Sequence, residues 1–410
     1  MRGRVRALAG SDVDGSALEP SMHEARPALH LTAPHGWLND PLGITYRDGH
    51  YELFYQSLPG ESHWNPRCQW GHATSPDLVT WTHHGSVLVP GDDEDGCWSG
   101  TLVPDPVTGE PTIFYTSVRG PAFDIGEIRT ARAVDAEWQR WERAGTVVRA
   151  PQGEGIRVFR DPVVRREADH WRMFVGAGLS DGTAAAVSYT SADLSGWTYD
   201  GVLASSRTSP TGGLASGEAW ECPQLVDLGE RCVMIVSAWQ PNVNLNVLAA
   251  VGTYAEGRLD VERWQQLTYG PGHYAPAAFT DAEGRPALMF WIRGVADPGG
   301  RWTGALSIPY RMSLVDGRVH LEPHPSVSEP LRSARPGVRH WRIATDELEA
   351  EARLDETVSV TVGPASVRVS APGHDVDVPD PAGPVDVLVD GPVLEVCTGN
   401  AVVGLPFPLQ

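Results

Sequence analysis

One segment of the chain occurs twice. Thr74 to Leu88 reads TSPDLVTWTHHGSVL, and Thr190 to Leu203 reads TSADLSGWTYDGVL. Fainter copies follow the same plan: AVDAEWQRWERAGTVV at Ala133 to Val148 and DVERWQQL at Asp260 to Leu267. The tryptophans that close them, Trp81, Trp141, Trp197 and Trp264, are 60, 56 and 67 residues apart. Ahead of each lie short alternating or apolar runs, YELFYQ, TIFYTSV, WRMFVGAG and RCVMIVSAW. A fifth unit without the tryptophan carries ALMFWIRG and ALSIPYRMSL. Helical periodicity is nearly absent before Thr345 to Leu354. Repeats of this kind bury a core only by stacking on their neighbours, and units of about 50–60 residues with four short strands are the pattern of a propeller blade. The chain therefore reads as all-β: a five-bladed β-propeller over 28–325, then a small C-terminal β-sandwich over 333–410 built from VSVTV, SVRVS, VDVLVD and VLEVC. An array of β-sandwiches is the alternative. Residues 1–27 read as a flexible polar arm.

Composition narrows the function. The 44 glycines and 34 prolines suit a turn-dense β protein and not a helical bundle. A formal charge of −20 makes nucleic acid and anionic membrane poor partners. The 32 cationic side chains are all arginine, which excludes Schiff-base and P-loop lysine chemistry. Apolar runs are too short to span a bilayer. The N-terminal patch Ala7 to Gly10 is too short for a signal peptide, so no export is predicted. Five cysteines without a CxxC pair predict neither zinc nor a disulfide framework, and a cytoplasmic location.

In a propeller, the first strand of each blade lines the central channel, so equivalent residues at its start converge. The units open with GWLNDPLG, CWSGTLV, VFRDPVV, AWECPQLV and HYAPAAF. Three of these carry a carboxylate at nearly the same point, Asp40, Asp161 and Glu221, followed by proline directly or one residue on. Any one could be a turn dipeptide. Together they predict a site, because two carboxylates across a cleft are what glycoside hydrolysis requires. Trp37, Trp64, Trp70, Trp98 and Trp220 would offer faces to sugar rings.

At these residues the sequence resembles glycoside hydrolase family 32, the β-fructofuranosidases. The resemblance rests on Trp37-Leu38-Asn39-Asp40-Pro41-Leu42-Gly43, Phe54-Tyr55-Gln56, Trp70-Gly71-His72-Ala73, Trp98-Ser99-Gly100, Arg160-Asp161-Pro162 and Glu221-Cys222-Pro223, in the family's order. It implies a five-bladed propeller with a C-terminal sandwich, and a retaining hydrolase that releases fructose from sucrose or short fructo-oligosaccharides. Asp40 would be the nucleophile, Glu221 the general acid and base, and Asp161 the group that grips fructose hydroxyls. Asn39, Gln56, Trp64, Trp98, Ser99 and Arg160 would line the fructose subsite, with Arg160 against Asp40 or Asp161. Neither cofactor nor metal is implied. The partner would be a small carbohydrate. Rival readings are a fructosyltransferase, an arabinoside or xyloside hydrolase of the related propeller class, and a non-catalytic sugar-binding propeller.

Three features depart from the family. Leu42 replaces an asparagine beside the nucleophile, WNPRCQW differs before the WGHA box, and the C-terminal region is short, which would favour homo-oligomers through open strand edges. His83 and His84 read as surface residues and not metal ligands. Asp92 to Asp95 reads as a solvated loop. Cys222 is either a tuner of the acid or a buried thiol, and His273 and Tyr274 read as packing residues at the channel.

Overall fold

The computed structural model describes residues 26–105, 108–332, 335–345 and 350–408. Most of the expected N-terminal arm lies outside them. Four antiparallel meanders of four strands follow one another. Their innermost strands are Gly36–Arg47, Gly96–Pro104, Ile156–Arg166 and Ala219–Leu228. A fifth group starts with His273–Thr280 and Pro286–Ala296 and ends with Arg318–Pro323. Its strand Trp302–Leu306 pairs in parallel with Gly36–Arg47, so the first and last groups share one sheet. The five innermost strands pack in sequence, and His273–Thr280 packs against Gly36–Arg47.

The sequence repeat marks the turn between the third and fourth strands. In its first copy Asp77 Oδ1 accepts the amides of Val79 (2.9 Å) and Thr80 (2.6 Å). In its second, Asp193 Oδ1 accepts those of Ser195 (2.9 Å) and Gly196 (3.0 Å). Leu78 and Leu194 stand next to these aspartates with φ of 64° and 66°. An aspartate that caps its own turn makes this left-handed step tolerable. Trp138 takes the same step in the fainter copy (φ 56°), and Trp141 Nε1 donates to its carbonyl as Trp197 Nε1 does to that of Leu194. Trp264 is no counterpart. It lies inside the strand Arg258–Gln266 and donates to Ser209.

Several expectations need correction. Among the described residues the only helix is Pro325–Arg332, and the stretch with helical periodicity contains the strand Ala350–Arg353. The acidic run 92–95 is not wholly solvated, because Glu94 is buried against the Tyr115 hydroxyl and Arg143. His83 and His84 are half-buried and bond to Tyr55 and Thr74.

The C-terminal part is two sheets around one valine core. Ser359–Val362, Ser366–Ala371 and His374–Pro379 alternate Val360, Val362, Val367, Val369, Val376 and Val378 inward. They face Val385, Val387, Val389, Leu394, Val396 and Val403 of the other sheet. The opposite side of this second sheet is also covered. That is why Asp386, Asp390 and Glu395 are buried although they alternate with apolar residues. Glu395 accepts the Tyr310 hydroxyl (2.8 Å) and the Ile308 amide (3.0 Å), and pairs with His273 Nε2 (2.7 Å) and His30 Nε2 (2.6 Å). His30 Nδ1 meets Asp390 at 2.7 Å. Burial opposes the charge on His30, but Glu395 and Asp390 prevail and push its pKa up to about 9. Burial likewise opposes ionisation of Glu395, and His30 and His273 hold its carboxyl well below the usual range.

This cluster predicts a pH window. His30, raised in the folded state, stabilises fully below its unfolded value near 6.5 and loses that contribution as pH rises through about 9. Glu395, depressed in the folded state, stabilises above about 4.3 and loses it as pH falls. Glu395→Gln is therefore expected to cost about 3–5 kcal/mol, most between roughly pH 4.5 and 6.5. Urea midpoints across pH test this, and equal midpoints at pH 6 would refute it.

Candidate active site

Each innermost strand breaks ladder register at the hub. Two residues stand opposite one at Asn39-Asp40, Asp161-Pro162, Cys222-Pro223 and Ala275-Pro276, and Ser99 is an extra residue in the second strand. Proline has no amide hydrogen to give a ladder, so it suits a bulge. Asp161, Cys222 and Ala275 adopt left-handed φ values of 63°, 47° and 43°. Residues like these are costly there and concentrate at functional sites.

Aligned on their prolines, Asp40, Asp161, Cys222 and Ala275 correspond, and Asn39, Arg160, Glu221 and Tyr274 each stand one residue earlier. Glu221 is thus one step out of line with the two aspartates it was expected to match.

Asp40 is held by donors. Asn39 Nδ2 donates to Oδ1 (2.9 Å) and the Ser99 hydroxyl to Oδ2 (2.5 Å). Gln56 Nε2 donates to Ser99 Oγ, and Trp37 Nε1 to Asn39 Oδ1 (2.8 Å). Ser99 has one proton and already accepts from Gln56, so that proton goes to Asp40, which acts only as an acceptor. Burial raises the Asp40 pKa, and the Ser99 and Asn39 bonds oppose the rise.

Asp161 is buried, and its Oδ2 accepts the Cys222 amide (3.1 Å). The Cys222 sulfur lies 3.5 Å from Asp161 Oδ2 and 3.8 Å from Asp40 Oδ2, so it brings the two carboxylates to one place. Burial, then Glu221, pushes the Asp161 pKa upward. Burial also keeps the Cys222 thiol protonated. Glu221 Oε1 accepts Arg160 Nε (2.9 Å) and Oε2 meets the Tyr274 hydroxyl (2.7 Å). Arg160 was expected against an aspartate, but its direct hydrogen bond is to Glu221. Its guanidinium lies between the rings of Trp239 (4.7 Å) and Trp98 (5.9 Å).

The expected sugar-facing tryptophans divide. Trp64 is 48% exposed and meets Trp98 edge-on at 5.7 Å. Trp37 is half-buried beside Trp291. Trp70 and Trp220 are fully buried and pack between sheets, so they offer no face to a ligand. Leu42 is also buried, against Phe54, Trp70 and Leu102. The position of the missing asparagine therefore lies in the packed interior, on the lining of a cavity of about 310 Å³ that Ser99, Asp161 and Cys222 also line.

Tyr274 was read as packing, and it reaches Glu221. Its signal was present: Tyr-Ala-Pro aligns with Asn-Asp-Pro, Arg-Asp-Pro and Glu-Cys-Pro. Trp239 and Asp124 gave none. Among the described residues, potential metal ligands gather only at Asp281, Glu283 and His324, away from these residues in the chain. Arg285 already bonds both carboxylates there.

Residues 30–325 match the family model described as Glycosyl hydrolases family 32 N-terminal domain. The chain is 33% identical over 329 residues to a sucrose-6-phosphate hydrolase of Escherichia coli, covering 74% of this chain and 66% of that protein. It is 33% identical over 334 residues to a raffinose invertase of Escherichia coli, covering 76% and 67%. The chain thus spans about two thirds of the length of these relatives. A Bombyx mori GH32 beta-fructofuranosidase superposes with a TM-score of 0.76 at 24% identity, over 93% of this chain and 89% of that one. Fructan 1-exohydrolase IIa from Cichorium intybus does so at 0.76 and 20%, over 94% and 91%. At these identities the structures share the fold.

Ser99→Ala removes one of two donors from a buried carboxylate. The Asp40 midpoint is expected to rise by about one pH unit, since one unit is 1.4 kcal/mol, the size of a hydrogen bond to a charge. Carboxyl ¹³C titration, assigned with Asp40→Asn, checks it, and an unchanged or lower midpoint would contradict the donor assignment.

Proposed function

The chain belongs to glycosyl hydrolases family 32, and we propose that it is a retaining β-fructofuranosidase that acts on sucrose or short fructo-oligosaccharides. The observation that carries the proposal is the convergence of Asp40, Asp161 and Glu221, each with different partners, on one hub. Asp40, held as an acceptor by Asn39 and Ser99, attacks the anomeric C2 of the fructosyl unit. The C2–O bond to the leaving sugar breaks as Glu221 gives its proton to that oxygen. Glu221 then takes a proton from water, whose oxygen displaces Asp40 from C2.

Glu221 must therefore exist both protonated and ionised. Tyr274 suits both forms. Its hydroxyl lies 2.7 Å from Glu221 Oε2 and 3.0 Å from the Ala238 carbonyl, and it has one proton. It can donate to an ionised Glu221, or donate to Ala238 while accepting from a protonated one. Burial and the neighbouring Glu221 keep the phenol protonated. Asp161, fixed by the Cys222 amide, leaves its other oxygen for fructose hydroxyls. Asn39, Gln56, Trp64, Trp98, Ser99 and Arg160 complete the subsite.

The same reading takes the five groups of strands as a five-bladed propeller over 28–325, and the paired C-terminal sheets as a β-sandwich over 333–410. The order in which the inner strands pack supports this. Five free, buried cysteines suit the cytoplasm. Among the described residues no helix is long and apolar enough to cross a membrane. The edge strands Val338–Ile343 and Ala350–Arg353 are where a second copy would pair.

Glu221→Gln should lower kcat on sucrose about a thousandfold, spare fructosides with good leaving groups in the first step, and leave the fold intact. Fructose release, with circular dichroism as the control, measures this. Wild-type turnover of sucrose in the variant would remove Glu221 from the acid role.

A further inference from the structure

Two charged pairs stand on the chain segments that carry Arg160 and Glu221. Arg160 Nε bonds Glu221, while Arg160 Nη1 lies 3.4 Å from the Asp124 carbonyl oxygen and 3.7 Å from its Oδ1. Three residues back along the same two chain segments, Arg157 pairs with Glu218 and donates to the Leu179 carbonyl. Arg293 gives its donors to the carbonyls of Gly272, Asn244 and Leu245, and lies 4.8 Å from the Tyr274 ring. The Trp239 ring lies 4.7 Å from the Arg160 guanidinium. Each of these arginines thus already has carboxylate or carbonyl partners, while the side chains of Asp124 and Glu218 remain 67% and 46% exposed. A leaving oxygen that takes its proton from Glu221 must sit beside these residues, and the rest of the leaving sugar with it.

We propose that these residues form a leaving-group subsite that takes a neutral sugar and turns away a phosphorylated one, so that sucrose is preferred to sucrose-6-phosphate, with Asp124 the main specificity-determining residue. The proposal rests on the β-fructofuranosidase reading above. It separates this chain from relatives named for the phosphorylated sugar. A phosphate monoester carries about −1.5 to −2 charges at pH 7 and needs arginine or lysine donors. The chain has no lysine. A phosphate here would have to share an arginine with that arginine's carboxylate or carbonyl partners, next to an exposed aspartate. An unmatched like charge is an effective means of rejection. The exposed Arg67 and Arg119 stand in the connections that flank Trp98, and are the cations through which a phosphate would be held instead.

The test is kcat/KM for both sugars in the wild type, Asp124→Asn, Asp124→Arg and the double variant Arg67→Gln/Arg119→Gln, at low and high salt. Sucrose should be favoured by about tenfold or more. The ratio should shrink in Asp124→Asn and with salt, and move toward sucrose-6-phosphate in Asp124→Arg. Equal or better use of sucrose-6-phosphate by the wild type would overturn the proposal, and its collapse in the double variant would place the phosphate at Arg67 and Arg119. A preference indifferent to both Asp124 and salt would overturn it too. Cleavage of neither sugar would overturn the fructosidase reading itself, which is distinct from cleavage of both without discrimination.

Discussion

The innermost strands cannot keep their ladder through Asn39-Asp40-Pro41, Arg160-Asp161-Pro162, Glu221-Cys222-Pro223 and Tyr274-Ala275-Pro276. Proline has no amide hydrogen to contribute, and at each place two residues stand opposite one. In a regular strand, adjacent side chains point to opposite faces. The bulge suspends that rule, so Asn39 and Asp40 meet in one hydrogen-bond network, and Arg160 and Asp161 both serve the same hub. One local irregularity, repeated in successive sheets, thus brings neighbouring residues of one strand to the same site.

Gathering carboxylates in a buried place is expensive unless each has partners. The hub meets this requirement differently for each. Asp40 has two side-chain donors, Asp161 a backbone amide, and Glu221 an arginine and a phenol. The C-terminal sheets join the same arrangement through neighbouring residues on one strand. His273 reaches outward to Glu395, and Tyr274 reaches inward to Glu221. Docking of the second part of the chain therefore fixes the strand that carries a partner of Glu221.

Much of this was legible in the sequence. The duplicated segment exposed the sheet repeat because its aspartate and tryptophan build a turn, a local requirement that leaves a local trace. Where the same tryptophan arose inside a strand, at Trp264, the pattern misled. Acid-proline pairs located the hub, and the one-residue offset of Glu221 was already visible in the Cys222 that separates it from Pro223. Leu42 looked like a lost contact, and the assembled sheets bury it against Phe54, Trp70 and Leu102 on the lining of a cavity it shares with Ser99 and Asp161. Trp239 and Asp124 come from connections and second strands, whose approach to Arg160 only the assembled sheets determine.

The proposed mechanism requires that Asp40 bond covalently to the sugar. Glu221→Gln, mixed with a β-fructofuranosyl fluoride, quenched in acid within milliseconds and digested, isolates that step, because fluoride leaves without a proton while removal of the sugar from Asp40 by water lacks its base. One hexosyl unit is expected on the peptide that contains Asp40. An adduct on Asp161 or another residue, or fluoride release without any adduct, would contradict it.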